Sequence, residues 1–493
     1  MHKVDIAIIG SGFGGSLLAL LLARRGKSVV LVDRAAHPRF AIGESSTPIA
    51  DLILADLAAN YDLPRVAPLA QYGSWRRTYP ELKRGRKRGF SYFHHEAKRP
   101  FQPSAAHENE LLVAASSDND RCDTHWYRAD VDQFFAREAE RTGVMLLERT
   151  DVASCVLNGE WKLALRQREL PIDVQADFLV DATGSGEFGR RWLGTADDTA
   201  TLLTQSHAIF SHFGNVTPWH EMLEAWGART IDHPFACDDA ALHHVFDRGW
   251  MFLLRFDHGV VSAGFSWNGK IVPRFSGDAS VFWKPWLRNF PSIAEQFQRA
   301  DIVDPPGRLF LSGRLQRKSS RAAGQQWGAL PHAFGFIDAL HSTGIAWNLS
   351  GVERLAQILC DDLDDDSLSQ RLKVYDQQLH RELKLIDMLV HLAYETMPTF
   401  RLFVLAVMTY FTATVTYENR RKRGLAPSFL CADDDELGRR LAAAAGVLRK
   451  ALRQPESMIP AAEEEIRRLI EPYNTAGLCR PEAQNMYHHT AAR

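Results

Sequence analysis

Val4-Asp5-Ile6-Ala7-Ile8-Ile9-Gly10-Ser11-Gly12-Phe13-Gly14-Gly15-Ser16 lies at the start of the chain and decides its fold. Residues 4–9 are almost uniformly apolar, the pattern of a strand covered on both faces in a parallel sheet. A GxGxxG run follows at once. Gly10 permits the tight turn from strand to helix, Gly12 lets the backbone approach a pyrophosphate, and Gly15 lets helix and strand pack closely. Residues 16–25 then read as an apolar helix stopped by Gly26, and residues 28–32 as a second buried strand ending at Asp33. An acidic residue there is placed to grip an adenosine ribose, while the helix N-terminus faces the phosphates. A glycine pattern alone is a weak signal, but strand, turn, helix and acid together make a complete βαβ dinucleotide unit. The same spacing at Gly184 to Gly189 follows a different kind of strand and is read as a coincidence.

The 493 residues are 45% hydrophobic and 24% charged, with a formal charge of -2. That is the composition of a globular enzyme. The length exceeds the ~250–300 residues at which one core usually stops growing, so more than one lobe is expected. Balanced charge offers no field for a nucleic-acid backbone, which excludes nucleic acid as a partner. The six cysteines stand far apart without a CxxC pair, against both a disulfide framework and a zinc site. His94-His95 and His243-His244 have no third ligand at metal spacing, so they are read as structural and no metal centre is expected. The first residues lack the basic stretch, apolar core and cleavage site of a secretory signal, and a cytoplasmic protein is expected. Residues 388–416 are the most lipid-like, but His391, Glu395, Pro398 and Arg401 interrupt them. A membrane span needs about 20 apolar residues in succession, so no transmembrane segment is expected here but a buried or substrate-facing helix pair.

Further along, helices are predicted at residues 51–61 and 131–142, and a short strand at residues 178–181. Residues 204–314 are strand-rich, with runs at 249–256 and 260–267 joined by the turn Asp257-His258-Gly259. After Gly344 the pattern is helical to the end. An α/β module over residues 1–354, with a sheet-rich insertion at about 204–314, would precede a helical region at residues 355–493.

Two segments bear on which dinucleotide is bound, since the fingerprint serves FAD and NAD alike. Asp181-Ala182-Thr183-Gly184 closes a strand in mid-chain, and Gly335-Phe336-Ile337-Asp338 precedes Ser342-Thr343-Gly344-Ile345 at the head of a helix. With the first loop they resemble the three nucleotide-contacting segments of the flavoprotein hydroxylase superfamily, in which the chain returns twice to one FAD. Within it the resemblance narrows to the flavin-dependent halogenases, the tryptophan halogenase-like family. Pro38-Arg39-Phe40-Ala41-Ile42-Gly43-Glu44-Ser45-Ser46-Thr47-Pro48 is similar to the family's strap over the flavin, where Glu44 either orients the strap or caps the next helix. Lys87-Arg88-Gly89-Phe90 resembles the stretch with the catalytic lysine, and Trp126-Tyr127-Arg128-Ala129-Asp130-Val131-Asp132 the RxDxD-like helix start. Leu340-His341-Ser342-Thr343-Gly344-Ile345 resembles the loop whose backbone holds halide. The resemblance covers about residues 4–354 and fades in the C-terminal helices.

The resemblance implies an α/β fold: a Rossmann-like FAD-binding domain, a mixed β-sheet substrate region and a helical C-terminal extension. FAD would contact Gly10, Gly12, Phe13, Gly14, Gly15, Asp33, Arg34, Ser45, Arg128, Asp181, Gly184, Asp338, Gly344 and Ile345. Halide, chloride or bromide, would lie at Ser342, Thr343 and Gly344, and Trp250, Phe252 and His341 would line the substrate pocket. Reduced FAD would come from a separate NAD(P)H-dependent flavin reductase. With dioxygen it would oxidise halide to hypohalous acid, which Lys87 would present to an electron-rich ring; Lys83 is the next candidate. Two departures matter. The family's WxWxIP signature reads Trp250-Met251-Phe252-Leu253-Leu254-Arg255 here, and His341 stands where tryptophan-type enzymes carry a glutamate. The second points to a small phenolic or pyrrolic substrate, alkylated or carrier-tethered, and residues such as Leu389, Leu402, Phe403, Met408, Tyr410 and Phe411 offer an apolar surface for an alkyl tail or simply pack on the FAD module. The first keeps open an aromatic hydroxylase or another FAD oxidoreductase without halogenation, beside a flavoprotein with no catalysis of its own.

Overall fold

The βαβ unit forms as its residues require. A computed structural model describes residues 1–272, 277–361 and 367–491. Strands His2–Ile9 and Val29–Val32 pair in parallel, and the helix Phe13–Arg24 crosses between them. His2–Ile9 also pairs in parallel with Leu170–Asp181, which pairs in parallel with Trp327–Ala329. The predicted strand at 178–181 is therefore the end of a longer one. Side chains from Ile6 to Ile8 are fully buried, as a strand covered on both faces demands. Gly10 has φ of 111°, and a Cβ there would lie 2.4 Å from the Ala182 carbonyl oxygen. A Cβ on Gly15 would lie 2.0 Å from the Gly10 carbonyl oxygen. These glycines make helix and strand touch.

The second sheet runs, in spatial order, Asp301–Asp304, Ser206–Gly214, Val261–Asn268, Gly249–Arg255, Ala241–Phe246, Gly89–His94, Glu110–Ala114 and Met486–Tyr487, with Phe310–Leu311 also on Ser206–Gly214. The sheet-rich stretch at about 204–314 supplies six of its strands, but the sheet is not confined to that stretch. Gly89–His94 pairs in parallel with Ala241–Phe246, so two earlier strands complete it and the C-terminal tail adds its edge. Alternation along each strand serves two cores. Phe90, Tyr92, Trp250 and Leu254 belong to the large core shared with the FAD sheet and the C-terminal helices. Phe93, Met251, Leu253, Phe265 and Trp267 face a second core, closed by helices Trp219–Ala225, Ser280–Arg288 and Pro291–Gln296.

The boundary expected at residue 354 falls inside the helix Thr343–Cys360, which packs on Phe13–Arg24 and Pro48–Asn60 and leaves no linker. Helices Leu368–Thr396 and Phe400–Lys422 follow, broken beside Pro398. Phe400–Lys422 has the length and apolar composition to cross a membrane, but 94% of its most apolar window is buried inside the protein. Leu389, Leu392, Leu402, Phe403, Leu405, Ala406 and Met408 are likewise packed in the core, so the helix pair offers no open groove for an alkyl tail. After Asp435–Ala451 and Ile459–Ile470 the helical expectation ends. Pro472, Gly477 and Pro481 interrupt the pattern, and the tail returns to the second sheet at Met486–Tyr487.

Candidate active site

The first cleft, of about 360 Å³, opens above the N-terminus of Phe13–Arg24. Gly10, Gly12, Phe13, Gly14, Gly15, Asp33, Arg34, Arg128 and Gly184 line it. No side chain caps that helix, so its first N–H groups are left for a ligand. A Cβ on Gly12 would meet nothing nearer than 3.8 Å, so the glycine keeps space free for a ligand and not for the protein. Asp33 accepts hydrogen bonds from the Ser11 N–H (2.8 Å) and Oγ (3.0 Å), and Arg39 lies 2.8 Å away. Burial would raise this carboxyl, but Arg39 and the hydrogen bonds hold it below its usual range. Asp33 and the uncapped helix end are the groups a dinucleotide's ribose and pyrophosphate would need, so the cleft fits FAD. Asp181 does not reach the cleft. It is buried beneath the turn, accepting from the Thr183 N–H (3.0 Å) and Oγ1 (2.7 Å), and shapes the loop that Thr183 and Gly184 present.

Arg128 joins this cleft to a second cavity of about 400 Å³. Its guanidinium forms a fork with Asp132 at 2.7 and 2.9 Å and donates to the carbonyls of Ile42 (2.9 Å) and Gly43 (3.1 Å). The strap is thus clamped to the helix Arg128–Arg141. Glu44 is fully buried, 3.0 Å from His212 Nε2 of the second sheet, which settles its role as an anchor of the strap. Burial lowers the pKa of His212, but Glu44 and Asp304 more than reverse this, so it is raised. The strap's Ser46 N–H donates to Thr124, and Trp126 N–H to Glu44, which seats the strap along the strand Asp123–Trp126.

Ser45, Trp250, Phe252, His243, Asp338, Ser342, Gly344 and Ile345 also line this second cavity. Trp250 Nε1 donates to the Tyr394 hydroxyl (2.9 Å), which donates to Asp338 (3.0 Å). Burial raises Asp338 to about 6 against the hydrogen bonds from Ser206 and Tyr394.

A third, narrow cavity of about 30 Å³ lies beyond the loop that starts the helix Thr343–Cys360. His341 and Thr343 face it, whereas Ser342, Gly344 and Ile345 face the second cavity. The loop is therefore a partition one residue thick. Ser342 sits in the left-handed region (φ 53°) and caps nothing, leaving helix N–H groups for an anion. Its hydroxyl instead donates to Ser45 Oγ of the strap (2.9 Å). His341 stacks on Tyr410 at 4.1 Å, is fully buried, and has no partner at either ring nitrogen. Burial holds it neutral, at about 3.

Phe90 forms another wall of the narrow cavity, and Lys87 Nζ lies 4.0 Å above its ring. Strand Arg84–Lys87 pairs with Asp123–Trp126 so that Lys87 stands opposite Asp123. Nζ is 3.8 Å from the Asp123 carboxylate, fully buried and without a hydrogen-bond partner. Burial lowers Lys87 despite Asp123 and Asp51, raises Asp123 to about 6 against the pull of Lys87, and with Asp123 pushes Asp51 well up. Lys83 is exposed, over the Tyr127 ring, so Lys87 alone meets the need for a dry amine. Pro48, Ala115, Glu418 and Ala491 are shared with an outer cleft of about 500 Å³ that also exposes Asp51 and Asp123.

The three expected pocket residues are not in one place. Trp250 and Phe252 face the second cavity and His341 the third. His243, read from the sequence as structural, lines the second cavity, where burial holds it near 3. Ile49, Thr414, Glu418 and the tail at Thr490 and Ala491, around the third, were not expected from the sequence. None of these carries a local pattern that could have shown them.

The chain matches the family model for FAD dependent oxidoreductases over residues 5–314, and that for tryptophan halogenases over residues 292–399. It is 26% identical to monodechloroaminopyrrolnitrin halogenase PrnC of Pseudomonas fluorescens, across 78% of this chain and 66% of that protein. It is also 26% identical to tetracycline 7-halogenase of Kitasatospora aureofaciens, across 77% and 67%. The chain thus spans about two thirds of the length of these relatives. Its fold superposes on halogenase PltM in complex with phloroglucinol and FAD with a TM-score of 0.86, at 23% identity, covering 98% of this chain and 99% of that one. The flavin-dependent brominase Bmp2 shares the fold at a TM-score of 0.64. The chain belongs to the FAD dependent oxidoreductases, and the relatives it resembles among them are flavin-dependent halogenases.

Proposed function

We propose that this chain takes reduced FAD from a separate NAD(P)H-dependent flavin reductase and uses dioxygen and chloride or bromide to halogenate a compact phenolic or pyrrolic ring in the cytoplasm. When bound, reduced FAD supplies with dioxygen the two-electron oxidation that turns halide into hypohalous acid. The uncapped helix N-terminus at Thr343 and Gly344 would hold the halide on the flavin side of the partition. On the other side, the Lys87 N–H groups would hydrogen-bond hypohalous acid, or its amine would carry the halogen as a chloramine. Burial favours the amine, and Asp123 stands ready to exchange a proton with it. The substrate ring would enter from the outer cleft. A ring hydroxyl would give His341 the hydrogen bond it lacks, which favours phenols, since a buried polar group left unpaired is costly.

The observation that carries this reading is the partition, with an uncapped helix start on one side and a buried lysine on the other. PrnC, the tetracycline 7-halogenase and the phloroglucinol complex of PltM support aromatic substrates. The test is a product assay on phloroglucinol, resorcinol, a pyrrole and free tryptophan, with a flavin reductase, in the presence and absence of halide. Halogenated phenols that vanish with either halide or reductase are expected. Phe252, where the family signature has tryptophan, favours a second reading as a hydroxylase. Hydroxylated products formed without halide, or rapid reduction of bound FAD by NADPH alone, would replace the first reading with it.

A further inference from the structure

Buried on the face of the second sheet turned away from these cavities, His107, Glu110 and His233 converge. Their ligand atoms all lie within 4.8 Å of one another. His107 and Glu110 are 1% and 3% exposed, and the His233 side chain is fully buried. Glu110 stands opposite Phe93, whose ring lies in the second core, so the carboxylate is on that face, across the sheet from the Lys87 side. The Glu110 carboxylate lies 2.5 Å from His107 Nδ1 and 3.5 Å from His233 Nε2. Neither ring nitrogen of His233 has a hydrogen-bond partner, and Nδ1 of the nearby His220 has none either. Two imidazoles beside a buried carboxylate, one of them wholly unpaired, form a donor set that lacks its acceptor.

We infer that His107, Glu110 and His233 bind a zinc ion. Ligands at about 2.0–2.2 Å around tetrahedral zinc stand about 3.4 Å apart, close to the 3.5 Å already present between Glu110 and His233. Two nitrogen donors exclude calcium and magnesium, which take oxygen ligands, and suit zinc. His107 would bind through Nδ1, because its Nε2 lies 3.2 Å from Asp232, whose carboxylate is itself held by Arg229 at 3.0 Å. A carboxylate behind a metal-bound imidazole is the usual way its tautomer and direction are set. The ion would tie together three stretches distant in sequence. His107 ends a loop, Glu110 begins the strand Glu110–Ala114, and His233 follows the turn Thr230–Asp232. Asn485 donates to the His107 carbonyl (2.9 Å) just before the tail strand that leads to Thr490 and Ala491. The site's role would be structural, holding the base on which the wall of the lysine-side cavity rests. No local spacing marks His107, three residues from Glu110, as a ligand, because its partner His233 comes from far along the chain.

The test uses full-length, tag-free protein stripped with a chelator and dialysed against zinc, followed by metal analysis. One zinc per chain is expected, with a rise in thermal midpoint on adding zinc, and the visible absorption of low-coordinate cobalt when Co²⁺ replaces it. Glu110→Gln and His233→Asn should each abolish stoichiometric zinc, and Asp232→Asn should weaken it by about ten- to a hundredfold. If wild-type protein takes up no zinc or cobalt, the cluster is only His107 hydrogen-bonded between two carboxylates and the inference fails. It fails equally if zinc uptake persists in a folded His233→Asn variant.

Discussion

The dinucleotide cleft and the lysine-side cavity are built on opposite plans. The cleft is made of backbone: four glycines, an uncapped helix end and one acid, all within the first βαβ unit and reinforced from the 182–184 turn. The cavity is made of side chains, brought by Phe90, His341, Tyr410, Glu418 and the returning tail, with Lys87 held behind the Phe90 ring. A backbone site tolerates almost any change of side chain but no added carbon at its glycines. A side-chain site fails in the reverse way, and the two respond differently to acid.

The sharpest contrast is between two glycines of one motif. Gly15→Val forces a side chain into the Gly10 carbonyl and should prevent folding, read as loss of soluble protein or of a cooperative thermal transition. Gly12→Val has room in the protein, so its thermal midpoint should stay within about 2 °C of wild type while the bound-flavin absorbance disappears. A folded Gly15→Val that binds FAD would falsify the backbone plan for the cleft.

Acid should separate the regions next. Burial holds His125, His243, His244, His332 and His341 near 3, below the ordinary value of 6.5. A histidine whose folded pKa is depressed contributes stability above 6.5 and loses it as pH falls toward 3, at about 1.4 kcal/mol per pH unit each. Asp123 and Asp338, raised to about 6, shift the other way, gaining stability as pH falls from 6 toward 4, but are outnumbered. Asp33 in the cleft is depressed, so its contribution persists until pH falls below the usual carboxylate range. The thermal midpoint should therefore drop steeply between pH 6.5 and 5. A flat midpoint across that window would mean that these buried imidazoles are not as dry as the structure has them.

Single substitutions in the cavity come third. Lys87→Ala should lower halogenated product by at least about a hundredfold, the usual scale for a positioned proton-transfer or relay group, while oxygen consumption and flavin content stay unchanged. Lys83→Ala should leave product formation intact. His341→Leu, which removes the hydrogen-bonding group, should lower kcat/KM for phenols by about tenfold, one charge-free hydrogen bond's worth, and affect pyrroles less. Equal losses on both substrate types would show that His341 only packs on Tyr410. Smallest of all, Ser342→Ala should raise the halide concentration needed for half-maximal rate by a few-fold, measured at saturating substrate.

What could be read in advance divides along the same line. Gly10 to Asp33 is one continuous unit whose chemistry depends on spacing, and spacing survives in a string of letters. Lys87 was legible through its neighbours, yet its choice over Lys83 needed burial, which a run of basic residues hides: Lys87 is fully enclosed and Lys83 exposed. Asp123 as its partner follows from strand register, set by pairing between segments far apart. The second sheet was misjudged for the same reason. Gly89–His94, Glu110–Ala114 and Met486–Tyr487 join it through long-range pairing that no local periodicity announces.

The single hydrogen bond from Ser342 to Ser45 has a thermodynamic meaning. It connects the loop proposed to hold halide to the strap, so neither can be displaced without breaking a contact of the other. Any free energy that halide contributes to ordering the loop is then shared with the strap's hold on the flavin, and reciprocity requires the two affinities to change by the same factor. Titrating FAD with and without chloride measures that factor directly. Removing the Ser45 hydroxyl should bring it toward unity, leaving cofactor and anion to bind as strangers.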